Sequence, residues 1–544
     1  MTTTLILGGK IVDGTGGDAF EAALLLRNGR VGGLFRPGEE VPAADREIDA
    51  TGCVVAPGFI DMHSHADWML AVADHDALTR PFLEQGVTTV VGGNCGFSPA
   101  PVQLSRLASM EEPLAKSLFD ADLDYDWESM GEFLERVEKR GLAMNLAELV
   151  GHASLRVAAS ETRRGPMPRH ELERCLDELR QSFDEGAVGL SFGLGYDPGM
   201  YSPLDELAAF CHVAGEAGKP VTVHLKALSA ISPTYPITYW RPHNLRALRE
   251  MLDIARRTGI RLQISHFIFV GRRSWPTADR ALEMVDEAQR QGVDVMIDAF
   301  PYTCGNTTVN APIPYWFLAM GPRGYRSAWA RARLRVELEL GFRLVGFVYE
   351  DFQVMDAAIE GEEELDGLTI AEIARLRKRS PFDVFLDLSE RSGGETLMLF
   401  HSYSGAPGQE ETLEAVLAHE LCLFETDALV KPKGYPNPAA VGTFPRILGE
   451  FVRERRLLRL EDAVRRMTSA SAERFGLPDR GLLRRGKAAD VVIFDPETIA
   501  DVPPAGSRPA GRPRGILHVF SNGRQVVRDG VCVADGRAGR VLRS

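Results

Sequence analysis

The sequence predicts an α/β fold, a (β/α)8 TIM barrel that carries a small β-sandwich domain built from both chain termini. One observation behind this prediction is a recurring unit of amphipathic helix, glycine, short apolar strand and polar residue, as in RALEMVDEAQRQ-G-VDVMIDAFPY. Another is that these apolar strands do not alternate with polar residues, which is typical of parallel strands covered on both faces. The third is that both chain ends lack the unit and instead place short apolar runs between glycine turns.

Eight segments occupy the strand position of the repeating unit: 54–65, 87–95, 145–152, 187–193, 221–226, 261–266, 293–300 and 420–428. Amphipathic helices separate most of them, and a glycine falls where the helix end needs a left-handed residue. Eight such units favour a closed barrel over an open sheet, and the barrel domain is predicted to span about 58–470.

The two chain ends and one internal segment do not contain this repeating unit. Residues 1–57 and 471–544 are predicted to form the two parts of one small β domain. Residues from about 305 to 400 separate strands seven and eight. Because long insertions at barrel strand ends often form lids over active sites, we expect this insertion to be lid-like.

Composition and charge limit the partners that the sequence predicts. Acidic residues outnumber basic ones by 76 to 62 and no long basic block occurs, so we expect no nucleic-acid partner. The N-terminal segment MTTTLILGGKIVDG lacks the features of a signal peptide, and no segment approaches the roughly 20 apolar residues of a membrane span. Seven cysteines without CxxC pairs indicate reduced thiols, so we expect a cytoplasmic protein that does not bind membranes. The oligomeric state does not follow from the sequence.

Residue types that bind metals fall at the carboxyl ends of the predicted strands. In GFIDMHSHADW two histidines lie two residues apart, and residues at that spacing in a strand point to the same face. The carboxyl ends of barrel strands meet at one mouth, where catalytic groups are placed. Any one such residue alone is typical of a hydrogen-bonded core or loop position, but seven together predict a metal site. They are His63, His65, Cys95, His152, His224, His266 and Asp427.

The chemistry of these residue types points to hydrolysis. Cysteine sulfur and histidine nitrogen are good zinc ligands, whereas a carboxylate can bind a metal and also accept a proton. Zinc pulls the pKa of a bound water toward neutrality, and a neighbouring carboxylate can carry the proton to the leaving group. Asp427, with Glu425 two residues before it, is the carboxylate at the end of strand eight. The site is therefore predicted to be that of a zinc-dependent hydrolase.

Several segments resemble one known family nearly end to end. GFIDMHSH is similar to the strand-one metal motif of the amidohydrolase superfamily. GGNCGFSPAP, VGHASLR, GAVGLSFGLGYDPGMYS, ISH, DAFPYTCGNTT and the stretch 442–496 resemble its D-aminoacylase (N-acyl-D-amino-acid deacylase) branch. The resemblance implies a metal-dependent TIM barrel that hydrolyses a linear amide bond in a small molecule.

The resemblance also implies roles for individual residues. It implies a tightly held zinc ion on Cys95, His224 and His266. It implies a second, weaker metal position on His63, His65 and Asp427, with Cys95 able to bridge the two positions. Asp427 matches the family's catalytic aspartate, and His152 resembles a catalytic residue that orients the substrate or lies behind the ligands.

Two departures from the family pattern concern the substrate. The family usually has a lysine two residues after the strand-six histidine, and Ile268 occupies that place here. Asn437 and Ala439 stand where the family tends to have the histidine and arginine of a His-Pro-Arg segment. Losing one charge-assisted contact typically costs on the order of 1.5–3 kcal/mol, so losing two should suppress an acidic substrate. We therefore expect a neutral or otherwise non-standard amide substrate.

Two alternatives stay open at this point. One is a true N-acyl-D-amino-acid deacylase whose cation comes from a neighbouring position: Arg272, Arg273, Lys226 or Lys431. The other is an inactive barrel that serves as a binding protein, against which the complete ligand set argues. A cyclic-amide hydrolase and a deaminase on the same barrel are disfavoured, because strand four ends without a lysine and strand five without a glutamate. The expected substrate contacts are Tyr196, Tyr302, Ile268 and Lys226.

Overall fold

The computed structural model describes residues 3–106, 123, 125–162, 164–236, 241–428, 430, 433–505, 509–533 and 537–544. The N-terminal segment forms seven strands: β1 Thr3–Leu7, β2 Lys10–Ile11, β3 Phe20–Glu21, β4 Ala23–Arg27, β5 Arg30–Phe35, β6 Arg46–Asp49 and β7 Val54–Pro57. Lys431, one of the alternative cations, lies outside the described residues.

Eight parallel strands form the barrel, as the sequence predicts. They are β8 Phe59–Asp61, β9 Val87–Gly92, β10 Asn145–Gly151, β11 Gly189–Gly193, β12 Val221–His224, β13 Leu262–Ile264, β14 Val295–Ala299 and, after an insertion, β18 Cys422–Phe424. Each pairs with its neighbour in chain order, from β8 through β14 to β18. The near-complete burial of these strands explains their continuous apolar character, since helices cover the sheet from outside.

Hydrogen bonds of both side chains and backbone close the seam between the first and last barrel strands. The backbone N–H and the hydroxyl of Thr426 both donate to the Asp61 carboxylate, at 3.0 and 2.6 Å. The Asp427 N–H donates to the His63 carbonyl at 3.0 Å, and the His65 N–H donates to the Ala428 carbonyl at 3.1 Å. These bonds hold the two histidines of strand one beside Asp427.

The predicted first strand, 54–65, is divided between two sheets. β7 pairs with strands of the small β domain, and only β8 belongs to the barrel. The division falls at Gly58, where a Cβ would lie 2.3 Å from the Thr88 hydroxyl oxygen, so that only glycine fits. His63 and His65 therefore follow the strand, and His65 occupies the N-cap position of the helix Ala66–Ala71 without a side-chain capping hydrogen bond. The expectation that strand alternation aligns the two imidazoles is wrong, because turn geometry places them instead.

Helices surround the barrel and fill the insertion. Those outside the insertion are Ala66–Ala71, Asp76–Glu84, Met130–Arg140, His152–Ala159, Arg169–Asp184, Leu204–Glu216, His243–Thr258, Ala278–Arg290, Glu411–Ala418, Ala439–Arg446, Leu460–Arg466 and Ser469–Arg474, and a π-helix continues from 447 to 454. Short 3-10 turns occupy Leu104–Arg106, Gly199–Tyr201, Trp275–Thr277, Tyr349–Asp351 and Glu363–Leu365. The glycine rule holds well at Gly259, which ends the helix His243–Thr258 with a φ of 69°.

The C-terminal segment returns to the small β domain. Its strands are β19 Val491–Phe494, β20 Ala500–Val502, β21 Gly511–Arg514, β22 Ile516–Ser521, β23 Arg524–Arg528, β24 Val531–Cys532 and β25 Val541–Leu542. One sheet has the order β5-β4-β1-β6 and the other β24-β23-β22-β19-β7-β2-β3. Both sheets contribute to one apolar core, with Ile6 and Leu24 from the first and Val55, Val491 and Phe520 from the second. The predicted β-sandwich from both termini is thus present.

The insertion between β14 and β18 has a sheet and an apolar core of its own. Its strands β15 Cys304–Thr308, β16 Phe352–Asp356 and β17 Leu397–His401 pair antiparallel in the order β15-β17-β16. Its helices are Tyr315–Leu318, Pro322–Arg326, Ala328–Val345, Ile370–Arg377 and Pro381–Arg391. Phe317, Leu334, Phe352 and Phe385 lie in its core. Among the described residues no helix has the length and apolar character needed to cross a bilayer.

Candidate metal centre

Cys95 lies at the centre of a cluster of metal-binding side chains. It follows β9 in a turn with a φ of 54°, and the Tyr196 hydroxyl donates to its carbonyl at 2.7 Å. Its Sγ lies 3.4 Å from Nε2 of His63, 3.4 Å from Nε2 of His266 and 3.8 Å from Nδ1 of His224. His224 Nδ1 and His266 Nε2 are 2.9 Å apart. Four donor atoms from different strands therefore face one small volume.

Asp427 completes the cluster on its more open side. Its Oδ1 lies 3.5 Å from Nε2 of both His63 and His65. The donor atoms of His63, Cys95, His266 and Asp427 all lie within 4.8 Å of one another. The Asp427 side chain is 22% exposed, whereas those of the two strand-one histidines are at most 4% exposed. Asp427 is thus a member of the cluster that a molecule entering the mouth can reach, and the partly buried His224 is another.

The charges in the cluster are balanced between anionic and cationic side chains. Burial raises the pKa of the Cys95 thiol, but the charges of His63 and His266 outweigh it and hold the pKa well below its usual value. Burial likewise raises the pKa of Asp427, and the hydrogen bond from His65 outweighs it, so that this pKa is lowered. Burial lowers the pKa of His65, but Asp427 and Cys95 raise it to about 10. The neighbouring imidazoles of His63, His65 and His266 thus favour the anionic forms of Cys95 and Asp427, whereas burial lowers the pKa of His224.

This donor set fits a zinc ion. Thiolate sulfur, imidazole nitrogen and carboxylate oxygen are the three ligand types that zinc takes in proteins. A divalent cation can replace the imidazole protons that otherwise balance the two anions. All six predicted ligands take part in these contacts: His63, His65, Cys95, His224, His266 and Asp427.

Asp298 supports two of these ligands and was missed by the sequence reasoning. Its carboxylate accepts the His266 backbone N–H at 2.7 Å and the Gln263 side-chain N–H at 2.7 Å, and it lies 3.4 Å from His63 Nδ1. His266 has a φ of 30°, a conformation that needs such support. The available signal was a fully buried aspartate within the apolar strand β14. Carboxylates that contact ligand imidazoles orient them.

Glu425 is a second buried carboxylate beneath the cluster. Neither of its carboxylate oxygens has a hydrogen-bond partner among the described residues. Burial raises the pKa of Glu425 well above its usual value. Burial therefore favours the neutral form of this carboxyl group, which has an oxygen within 4.8 Å of donor atoms of His63 and Asp298.

His152 makes its contacts away from the cluster. Its Nε2 lies 3.1 Å from Glu206 Oε1, which also accepts a hydrogen bond from Arg156 at 2.5 Å. Its ring packs edge-on against Phe192 and Phe210, at centroid distances of 5.1 and 4.8 Å. These contacts join the helix His152–Ala159 to the helix Leu204–Glu216. The catalytic role expected of His152 stays a prediction.

The four expected substrate contacts lie in two different settings. The hydroxyls of Tyr196 and Tyr302 already donate to the Cys95 carbonyl and to Asp501, at 2.7 and 2.9 Å. Ile268 belongs to a buried apolar cluster that also contains Tyr302. Lys226 is partly buried, with its ammonium 5.5 Å from the centre of the Tyr235 ring. The two tyrosines can accept but not donate a further hydrogen bond without breaking these contacts.

Tyr403 is a further side chain beside Ile268 that the sequence reasoning did not single out. It follows β17 of the insertion, and it forms an isolated bridge with Val270. Its ring packs against the apolar cluster of Ile268 and Tyr302. The insertion therefore contributes to the wall of the barrel mouth.

Comparison with known proteins agrees with this arrangement. The profile of the amidohydrolase family matches residues 46–311 and 345–534. A D-aminoacylase of Alcaligenes xylosoxydans xylosoxydans is 30% identical over 99% of this chain and 97% of its own length. An N-acyl-D-glutamate deacylase of the same organism is 32% identical over 99% of this chain and 96% of its own length.

Solved structures give the same result. The crystal structure of N-acyl-D-glutamate deacylase from Bordetella bronchiseptica, complexed with zinc and a phosphonate inhibitor, superposes with a TM-score of 0.82 at 30% identity, and each chain is covered completely. A D-aminoacylase structure that concerns its binuclear metal centre superposes with a TM-score of 0.80 at 28% identity, again over both complete chains. The chain therefore belongs to the amidohydrolase family, among the D-aminoacylases and their relatives, and is an enzyme that hydrolyses amide C–N bonds.

Proposed function

We propose that this enzyme is zinc-dependent and cleaves the linear amide bond of an N-acyl compound that is neutral where it faces Ile268. The observation that supports the proposal is the convergence of Cys95, the histidines and Asp427 within hydrogen-bonding range, beside an apolar wall. Family membership and the intact donor set leave no ground for the alternative of an inactive binding protein.

In this proposal Cys95, His224 and His266 hold the tight zinc ion, and His63, His65 and Asp427 form the weaker position. The contacting pairs of donor atoms lie 2.9 to 3.8 Å apart, and these contacts link all six residues around one volume. A zinc ion bound there supplies a Lewis acid near neutral pH.

Asp427 acts as the acid–base group of the proposed reaction. Because its pKa is lowered, the carboxylate is ionised and can accept a proton from the attacking water. The water oxygen forms a bond to the amide carbon, and the C–N bond breaks. Asp427 then returns the proton to the departing nitrogen, so that a carboxylic acid and an amine leave the site.

The wall next to the donors supports a neutral substrate. Ile268 is 7% exposed and packs with Phe300 and Tyr302. The Asn437 side-chain amide donates to Asn306 at 2.9 Å, so a neutral pair of amides takes the place of a cation.

Two nearby arginines that could replace the missing cations are already paired. Arg272 forms two hydrogen bonds with Asp351, at 2.6 and 2.9 Å. Arg446 lies over the Tyr302 ring and pairs with Glu450 at 2.9 Å. Both charges are therefore compensated by carboxylates before any substrate arrives.

Among the predicted cations that the structure describes, Lys226 best supports the alternative, a deacylase of free N-acyl-D-amino acids. No ion pair to its ammonium is present among the described residues, and it lies two residues after the cluster histidine His224. Burial lowers the pKa of Lys226. Arg273, another of the predicted cations, is exposed. Lys226 is accordingly the cation to test.

The deciding experiment compares N-acyl-D-amino acids with the same compounds whose carboxylate has been converted to an amide. We expect the zinc-loaded enzyme to cleave the neutral compounds faster, because Ile268 lies in an apolar cluster and the nearby Arg272 and Arg446 are paired with carboxylates. Faster cleavage of the free acids would contradict the neutral-substrate proposal. If Lys226→Met then abolished that preference, the relocated cation would be identified.

A further inference from the structure

The helix Ala328–Val345 presents an apolar stripe to solvent. Eleven large apolar side chains are exposed among the described residues, and six of them lie between 315 and 348. On this helix Trp329, Val336 and Leu340 are 64%, 66% and 55% exposed, and Leu344 is 38% exposed. Their spacing of seven, four and four residues places them on one face of an α-helix. Such a continuous exposed stripe is typical of an interaction surface.

The opposite face of the same helix packs into the core of the insertion. Ala330, Leu334, Leu338 and Phe342 are buried in the core of the insertion, each four residues from the next. The helix thus has two apolar faces, of which only one is needed to hold it in place. The exposed stripe requires a separate explanation.

The stripe also lies in a part of the chain that the family profile does not match. The amidohydrolase profile matches up to residue 311 and resumes at 345, so the helix falls almost entirely in the unmatched segment. The residues of the metal centre lie outside this segment, so the stripe takes no part in the proposed reaction. A role for the stripe is therefore independent of the proposed substrate.

The charges that border the stripe favour a second copy of the same helix. Arg333 pairs with Glu337 along one edge at 2.7 Å, and Arg335 pairs with Glu339 along the other edge at 2.9 Å. Two such helices can pack antiparallel, related by a twofold axis near Val336. Arg333 of one molecule then lies near Glu337 of the other, and Arg335 near Glu339 of the other. A parallel arrangement would instead bring arginine near arginine and glutamate near glutamate.

The apolar side chains are compatible with the same antiparallel arrangement. Residues equally far from Val336 in opposite directions become neighbours across the axis. Ala332 then faces Leu340, a small residue against a large one, and Trp329 faces Arg343, which allows a cation–π contact. We propose that this helix is the self-association surface of the protein and forms a twofold dimer through the stripe centred on Val336.

The expected dimer is weak, because one helix forms only a small interface. An 18-residue helix is about 27 Å long and covers less than the roughly 800 Å² per partner of a standard interface. The full-length protein is therefore measured by sedimentation velocity from roughly 1 to 100 μM, the range of weak association. We expect the mass to rise with concentration from the 59.8 kDa of one chain toward twice that value.

Substitutions identify the surface. Leu340→Glu and Val336→Glu should each weaken dimerisation more than roughly tenfold while leaving the thermal midpoint and amidase activity unchanged. Leu204→Glu is the matched control, since Leu204 is also exposed but begins a barrel helix remote in sequence from the stripe. In a second test, Val336→Cys should form a disulfide-linked dimer on oxidation, whereas Leu204→Cys should not.

Three results would overturn the proposal. One is a wild-type protein that stays monomeric over the whole concentration range. Another is a dimer that both glutamate variants leave intact. The third is a monomer that sediments with phospholipid vesicles through the same residues, which would make the stripe a membrane-binding surface instead.

Discussion

Asp427 and Cys95 belong to one cluster but should respond differently to removal. Asp427→Ala should lower the rate of amide hydrolysis by roughly 10²- to 10⁴-fold, the usual contribution of a general acid–base group, while the tight zinc stays bound. Cys95→Ala should lose the zinc as well, because its sulfur lies within 3.8 Å of three histidines. Metal content after desalting and initial rates measure the two effects. Near-normal turnover by Asp427→Ala would refute the proposed mechanism.

Ile268 tests the recognition of a carboxylate. Ile268→Lys places a cation where the resemblance to D-aminoacylases implies one, and it should raise kcat/KM for free N-acyl-D-amino acids. A charge-assisted contact of about 1.5–3 kcal/mol corresponds to a gain of roughly 10- to 100-fold. Ile268→Met is the control, because it alters the shape of the wall without adding charge. An equal response to both substitutions would mean that shape, not charge, selects the substrate.

The helices His152–Ala159 and Leu204–Glu216 are joined through Glu206 and Arg156. Arg156 also donates to the Thr162 and Gly165 carbonyls, at 3.0 and 2.9 Å, and so holds the following loop. Glu206→Gln leaves the buried guanidinium without its carboxylate and should cost about 3–5 kcal/mol of unfolding free energy at pH 7. Urea denaturation measures this loss.

The ion pair of Glu206 and Arg156 should also make the free energy of unfolding depend on pH. Burial raises the pKa of Glu206, but the hydrogen bond and charge of His152 and the charge of Arg156 outweigh it, so the pKa is lowered on folding. A carboxyl group whose pKa is lowered on folding stabilises the fold fully at a pH above its unfolded pKa of about 4.3. This stabilisation is lost as the pH falls through the pKa of the folded state. The difference in unfolding free energy between wild type and Glu206→Gln should therefore become smaller below about pH 4. If this difference stayed constant down to pH 3, the ion pair of Glu206 and Arg156 would not be its source.

Element boundaries show where local signals are sufficient. Helix ends such as Gly259 and the cores of all eight barrel strands follow from hydrophobic periodicity and glycine placement. The division of the first strand at Gly58 does not, because it depends on the close approach of Thr88 and on pairing with strands nearly 440 residues away.

At the scale of the whole molecule, metal binding should be coupled to folding stability. A ligand that binds only the folded state stabilises it by about 4 kcal/mol at a thousand times its Kd. A chelator should therefore lower the thermal midpoint of the zinc-loaded protein, and added zinc should restore it. Cys95→Ala is the control and should not respond. An unchanged midpoint on chelation of the wild type would contradict a zinc site on these residues.

The sequence by itself determined the barrel, the small β domain and the residue types of the metal centre. These follow from signals that are local in the chain: the repeating helix–glycine–strand unit, and a metal-binding side chain after most strands. Because parallel strands of a barrel end at one mouth, position along the strand was enough to bring Cys95, His224, His266 and Asp427 together.

Only the tertiary structure decided which side chains support that centre and which charges remain for a substrate. Asp298 holds His63 and His266 through contacts between separate strands, and Asp351 occupies Arg272 from within the insertion. The exposed stripe around Val336 likewise appears only once the opposite helix face is buried in the insertion core. Each depends on which surfaces meet across long sequence separations, and periodicity within one segment carries no information about its partner.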